Sequence, residues 1–253
     1  MWKYLVFLMA FSLLQCTMSV EDPLDENELG YNYYPLQVGN ERIYQIDSIQ
    51  FDLGAGDLPV YDSITFYLRE IVKEIIPDLE GKDLYRIERS RADTLTGPWT
   101  IVDVITRQVT GGQAFSTENN VKLINLVFPV RADVRWNGTS YLNDQIIVHI
   151  RGEPIEMYKD WEFKVLEEGQ SEQVGDFQYD EVATIQQSDS DNPFEKRYSV
   201  EKYAKGIGLV FRERQIVDSH CKYRGDNAMC VGLEWKEKAG RGFFTREILI
   251  DHN

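Results

Sequence analysis

Short runs of β-branched and aromatic residues, cut apart by turn signals, recur along most of this chain, and they leave little room for anything but a sheet. Glu41 to Asp52 sets Ile43, Ile49 and Phe51 on odd positions and Tyr44, Ile46 and Ser48 on even ones. Asp52 to Pro59 is a turn-rich loop. Ser63 to Ile76 fits a helical stripe through Ile64, Leu68, Ile71, Val72 and Ile75. It also fits one strand face through Ile64, Phe66, Leu68, Val72 and Ile76, with Glu70 and Glu74 as exceptions, and the strand is preferred. Asp83 to Arg89 and Trp99 to Ile105 alternate as strands do and are separated by Leu95-Thr-Gly-Pro98. Gln113 to Val130 becomes apolar on both faces near its end, as a strand buried on both sides would.

Trp161 to Leu166, Phe177 to Gln186, Tyr198 to Val217, Val231 to Lys238 and Phe243 to Ile250 are further strand candidates. Ala239-Gly-Arg-Gly242 reads as a hairpin turn between the last two. The expected fold is mainly β, an antiparallel meander forming a half-barrel or sandwich with little helix. The 14 Tyr suit half-buried sheet faces, where a ring packs and its hydroxyl meets water.

The N-terminus carries an address. Lys3 precedes an apolar run, Tyr4 to Leu14, too short for a lasting membrane span. It ends at Leu13-Leu14-Gln15-Cys16, which resembles a bacterial lipobox, although Gln15 stands where that motif usually has Gly, Ala or Ser. The resemblance implies a signal peptide over 1–15 and lipid attachment at Cys16; the acidic residues after it read as a tether to residue 30, ahead of a β-rich domain over 31–253. The resemblance further implies export and a lipid anchor in the outer membrane, on its periplasmic or surface face. An ordinary cleaved signal with an incidental Cys16, or a transmembrane anchor, are the alternatives. If Cys16 takes lipid, Cys221 and Cys230 remain as an even pair suited to a disulfide in an oxidising compartment. They lack the second close pair that a zinc site needs.

The net charge of −15 disfavours nucleic acid as a partner and disfavours electrostatic adhesion to anionic lipid. Membrane contact is therefore expected through the lipid anchor.

Tyr33-Tyr-Pro-Leu-Gln-Val-Gly-Asn-Glu-Arg-Ile-Tyr44, Phe128-Pro-Val followed by Trp136-Asn-Gly138, and Tyr203-Ala-Lys-Gly-Ile-Gly-Leu-Val210 together resemble a family of uncharacterised Bacteroidetes lipoproteins. Arg131-Ala-Asp133 departs from that family, replacing a turn that usually bears Gly. The resemblance implies a β-rich envelope protein and transfers no catalytic residue. Physically, Pro35 and Gly39 suit a chain reversal before the first strand, and Gly206 and Gly208 permit a bulge or the close approach of another segment.

Chemistry is sparse. No Gly-x-Ser-x-Gly, His-Glu-x-x-His or Walker loop occurs, and the sequence points to no catalytic residue, cofactor or metal. His149 alternates with apolar residues and reads as half-buried sheet; His220 neighbours Cys221; His252 reads as part of a mobile end. Asp189-Ser-Asp-Asn192 lacks the Gly and distal Glu of a calcium loop. Ser48, Ser63 and Thr94 each follow an Asp and precede an apolar residue, which resembles the O-glycosylation pattern of exported Bacteroidetes proteins. The expected role is a non-catalytic envelope lipoprotein whose β scaffold binds a protein, glycan or apolar ligand. The alternative is a carboxylate-dependent hydrolase acting on envelope glycan or lipid.

Overall fold

Fourteen strands run through the computed structural model, which describes residues 29–143, 146–225 and 227–253. Cys16, the signal peptide and most of the acidic tether lie outside the described residues. The first half is a meander of β1 (Glu41–Leu53), β2 (Pro59–Pro77), β3 (Asp83–Ala92), β4 (Thr100–Thr110), β5 (Gln113–Glu118) and β6 (Val121–Val127). Then come β7 (Arg135–Trp136) and the small hairpin β8 (Val148–Ile150) and β9 (Glu153–Ile155). The second half is β10 (Phe163–Val174), β11 (Phe177–Asp191), β12 (Glu195–Ala204), β13 (Gly208–Ser219) and β14 (Ala239–His252).

Twelve of these strands form one antiparallel sheet in the order β6-β5-β4-β3-β2-β1-β14-β13-β12-β11-β10-β7. Its edges meet: the Ile124 amide donates to the Gly138 carbonyl at 2.9 Å, and Trp136 Nε1 donates to the Ile124 carbonyl at 2.8 Å. The sheet is thus nearly closed into a barrel, which removes most of the exposed edge that a long open sheet would carry. A β-carbon on Gly138 would lie 2.4 Å from the Phe163 ring, so this seam needs glycine.

Alternation places the core. On β1, Arg42, Tyr44, Ile46 and Ser48 are buried, while the residues between them are half-buried. Tyr44, Leu126, Ile185, Ile216 and Leu249 are fully buried in the main apolar cluster. Each side chain of that size contributes about 1.5–3 kcal/mol by leaving water. Two smaller clusters, around Phe51 and around Val72, Ile87 and Ile105, complete the apolar interior.

Three local expectations are corrected. Val231 to Lys238 is no strand: it forms turns and a short helix, Trp235–Lys238, opened by a capping box between Glu234 and Glu237. Ala239 to Gly242 is no hairpin turn but the start of β14. Gly242 is required there by contact, since a β-carbon on it would lie 2.0 Å from the Ile216 carbonyl oxygen. The single run Tyr198 to Val217 is two strands, turned at Gly206. Ser63 to Ile76, by contrast, lies wholly within β2, in favour of the strand over the helix. No helix among the described residues is long and apolar enough to cross a membrane.

Candidate functional site

Charged residues occupy barrel positions where apolar ones are the rule. Across the first half, Arg42, Glu70, Arg89 and Asp103 stand opposite one another on β1, β2, β3 and β4. Across the second, Glu247, Arg212 and Glu201 do the same on β14, β13 and β12. Signs alternate along both rows, so each cross-strand neighbour is an opposite charge.

The contacts are close. Arg107 NH2 reaches the Glu70 carboxylate at 2.8 and 2.9 Å. Arg89 forks onto Asp103, with Nε 2.7 Å from Oδ1, and its NH2 also meets Glu118. Arg212 donates from Nε to Glu201 at 2.7 Å and from NH1 to Glu247 at 3.0 Å. Tyr203 donates its hydroxyl to the other Glu201 oxygen at 2.5 Å.

These pairs fix the electrostatics. Burial works to raise the Glu118 carboxyl, but Arg89 beside it prevails and holds it down at about 2. Glu201 is opposed by burial in the same way and is kept low by Arg212 and Arg214. Glu70 is opposed by burial and kept low by Arg107. Glu247 goes the other way, because burial outweighs the pull of Arg212. Burial pushes the Tyr34 hydroxyl up to about 12, so it stays a neutral donor, to the Phe115 carbonyl at 3.2 Å.

Two cavities lie along this network. One of about 20 Å³, water-sized, is lined by Arg42, Arg89, Arg107, Asn125, Tyr203 and Arg212 among others. A second of about 150 Å³ is lined by Ser116, Glu118, Asn119, Val121, Leu123, Asn125, Val148, Met157, Tyr158, Arg212 and Arg214. Ser116, Glu118, Asn125 and Arg212 line both. Asn125 is 2% exposed, yet its Oδ1 has no hydrogen-bond partner, and neither has Arg214 Nε. Buried polar groups without a partner are rare, because leaving one unpaired costs about 1–3 kcal/mol. At the mouth, the Glu118 side chain is 39% exposed.

The three motif stretches converge in space. Arg42 donates to the carbonyls of Ile207 at 2.8 Å and Pro35 at 3.1 Å, and Tyr44 donates to the Leu209 carbonyl at 3.0 Å. The Gly206 amide donates to the Asn32 carbonyl at 2.7 Å. Tyr31 packs on Phe128 with ring centroids 4.5 Å apart, and the Val130 amide donates to the Leu29 carbonyl. The segment before β1 therefore closes one barrel end. Its Tyr34, Pro35 and Leu36 stand between the inner cavity and an outer groove of about 520 Å³.

Cys221 and Cys230 are joined in a disulfide, with Cα atoms 6.2 Å apart. His220 Nδ1 lies 3.1 Å from the Lys238 carbonyl, and its Nε2 lies 3.6 and 3.9 Å from the two sulfurs. These three residues are the single cluster of three possible metal-ligating side chains among the described residues. With both sulfurs bonded to each other, only His220 retains a ligand lone pair of normal strength. His149 is exposed on β8 rather than half-buried, and His252 is the last residue of β14, paired with Arg42, rather than a mobile end. Asn192 caps the turn between β11 and β12, accepting from the Phe194 and Glu195 amides. Ser63 and Thr94 are exposed, whereas Ser48 is 5% exposed and faces the interior, out of reach of a modifying enzyme once the chain is folded.

The chain matches no protein-family model and no curated protein. Two crystal structures are similar to it. One is of a protein classed as a lipoprotein from Parabacteroides distasonis, with 12% identity, a TM-score of 0.41, and coverage of 87% of this chain and 98% of that one. The other is of a protein classed as exported, with a fold described as YmcC-like, from Bacteroides fragilis; identity is 10%, the TM-score 0.40, and coverage 87% of this chain and 97% of that one. Likeness at this level assigns neither fold nor function.

The cavity offers guanidinium, amide and hydroxyl donors, an ionised carboxylate and one apolar wall. Among the residues lining it there is no histidine, so Ser116 has no imidazole base. Glu118 and Glu247 carry opposite shifts, as an acid and base pair would, but Glu247 sits behind Arg212 and lines neither cavity.

Proposed function

We propose that this protein is an exported lipoprotein, held to the outer membrane through acyl chains on Cys16, whose barrel binds a small polar ligand without turning it over. The address rests on the apolar run that stops at Cys16 and on the acidic stretch behind it. The resemblance of its motif stretches to Bacteroidetes envelope lipoproteins points the same way. The binding role rests on one observation, a cavity of about 150 Å³ with Ser116, Glu118, Asn125, Arg212 and Arg214 among its lining residues. An apolar ligand would strip water from these polar side chains without replacing its hydrogen bonds, while a polar one can replace them.

Two experiments test the proposal. Cys16→Ser should move the protein from the detergent to the aqueous phase on phase partitioning; unchanged partitioning would remove the anchor. Purified protein should gain thermal stability with polar small molecules and not with fatty acids, and should release no product from glycan, ester or peptide substrates. Turnover abolished by Glu118→Gln would make it an enzyme instead.

A further inference from the structure

We infer that the free edge of β2, from Pro59 to Phe66, is a docking site for an extended, basic segment of a partner protein, which joins the sheet as an added strand.

β2 pairs with β1 from Pro59 to Ile71 but with β3 only from Tyr67 onward. Before Tyr67 it therefore has a strand on one side and, among the described residues, none on the other. At about 3.3 Å per residue this open edge runs for about 26 Å. Every second residue turns its amide and carbonyl to that side, and an incoming strand satisfies both. Val60 to Thr65 are all exposed, so neither face of this stretch is packed over.

Other free edges of the sheet are blocked. β10 meets β7 only at Phe163 and Lys164, and the rest of it carries Glu167, Glu168 and Glu172 and shifts register against β11. β4 pairs with β5 only from Thr106 onward, and its open part shifts register against β3 and holds Asp103, bound to Arg89. Irregular register and charged side chains keep an edge from pairing with another chain. The β2 edge keeps an unbroken register against β1, and its one charge, Asp62, is taken up by Arg151 at 2.7 Å.

Cross-strand pairing fixes which way its side chains face. Ile64 and Phe66 stand opposite the buried Ser48 and Ile46, so they point inward with Val60, while Tyr61, Ser63 and Thr65 point outward. The matching strand is apolar at every second residue and carries hydroxyl groups between. Its charge follows from the ends of the edge. Asp57 precedes one end, and Asp93 follows Ala92, which pairs with Tyr67 at the other. Their side chains stay 69% and 84% exposed beside their arginine partners. Lysine or arginine at both ends of the incoming strand meets these acids. A second copy of this chain would bring the same acids and the same net charge of −15.

The test is titration of the full chain carrying Cys16→Ser with synthetic peptides of about eight residues, Val or Ile alternating with Thr, ended by Lys or by Glu. Fluorescence anisotropy should show Lys-ended peptides binding at least about tenfold tighter than Glu-ended ones. Hydrogen exchange in the complex should slow at amides between Val60 and Phe66 and nowhere else. Ile64→Lys turns a charge inward on this edge and should weaken binding about tenfold or more, with the melting temperature unchanged because Ile64 is exposed. Should that variant fail to fold, the exchange pattern of the parent protein still decides. Binding without slowed exchange between Val60 and Phe66 would be adhesion by charge and would overturn the inference. So would equal binding of Glu-ended peptides, or binding of no peptide. A dimer in sedimentation that Ile64→Lys dissolves would overturn the basic partner and place a second copy on the edge. All these outcomes leave the barrel cavity untouched, so small-ligand binding stands or falls separately.

Discussion

Arg197 meets Asp218 at 2.8 Å with each side chain only 1% exposed. The guanidinium also donates to the carbonyls of Val217 and Glu156, both at 2.8 Å, so it ties β12 to β13 and to the segment after β9. Asp218 in turn lies 3.2 Å from Lys222 and 3.4 Å from Arg241.

Removing Arg197 takes from the buried Asp218 carboxylate its shortest ion pair, leaving Lys222 and Arg241 to hold it, and leaves the Val217 and Glu156 carbonyls without this donor. Arg197→Met should therefore cost about 1–3 kcal/mol of unfolding free energy for each buried group it leaves unpaired. Arg197→Met with Asp218→Leu should cost less than the single change. Urea denaturation of the three proteins measures this, and a single variant within about 1 kcal/mol of the parent would show the pair to be dispensable.

Glu118 and Glu247 predict opposite pH effects. The Glu118 carboxyl is held at about 2 against an ordinary 4.5, so its stabilisation is whole above pH 4.5 and is lost as pH falls toward 2. Glu118→Gln should lower the melting temperature at pH 7 and flatten its fall below pH 4.5. The Glu247 carboxyl is raised, so its contribution is whole below the ordinary range and is lost as pH rises through the raised value. Glu247→Gln should hold or raise the melting temperature at pH 7. Melting curves between pH 2 and pH 7, on the order of one per half unit, follow both.

The disulfide spans nine positions and fastens the loop that follows β13. Closing so short a loop restricts the unfolded chain by about 2–3 kcal/mol. Cys221→Ser with Cys230→Ser should lose that amount. Mass spectrometry of protein purified from the envelope should find neither thiol free.

Gly242→Ala tests the corrected start of β14. The residue has φ 106, and the added carbon would collide with the Ile216 backbone. Strained backbone alone costs about 1–3 kcal/mol, and the collision adds to it. A neutral result in thermal unfolding would contradict the register of β13 against β14.

The sheet was legible because period-two alternation is local. The Ser63 to Ile76 run shows both what that signal gives and where it stops. Its strand face was visible, and Glu70 stood out as an exception, yet its partner Arg107 lies two strands away. Nothing within one strand says that an Arg and a Glu will neutralise each other across an interior, so the ion-paired rows of Glu70, Arg89, Glu201 and Arg212 carry no local signal of their own. Asn125 was hidden by the apolar residues around it. The Gly-Arg-Gly of residues 240–242 misled for a related reason, because a glycine needed for close approach to a distant strand has the same letter as one needed for a turn.

The last strand of the chain lies mid-sheet, between β1 and β13. Without β14, what remains is two meanders that still meet at the seam of Ile124 with Trp136 and Gly138, each built of hairpins between sequence neighbours except where β10 pairs with β7. Their union is non-local: the Asn253 side chain donates to the Gly39 carbonyl, 214 positions away, and accepts from the Glu41 amide, 212 positions away. Contacts of such separation set the pace of folding, while hairpins form early. Two half-sheets therefore wait for a 14-residue keystone, each with an unpaired strand edge open to other chains until it docks. Its final residues decide whether this polypeptide becomes one barrel or two adhesive ribbons.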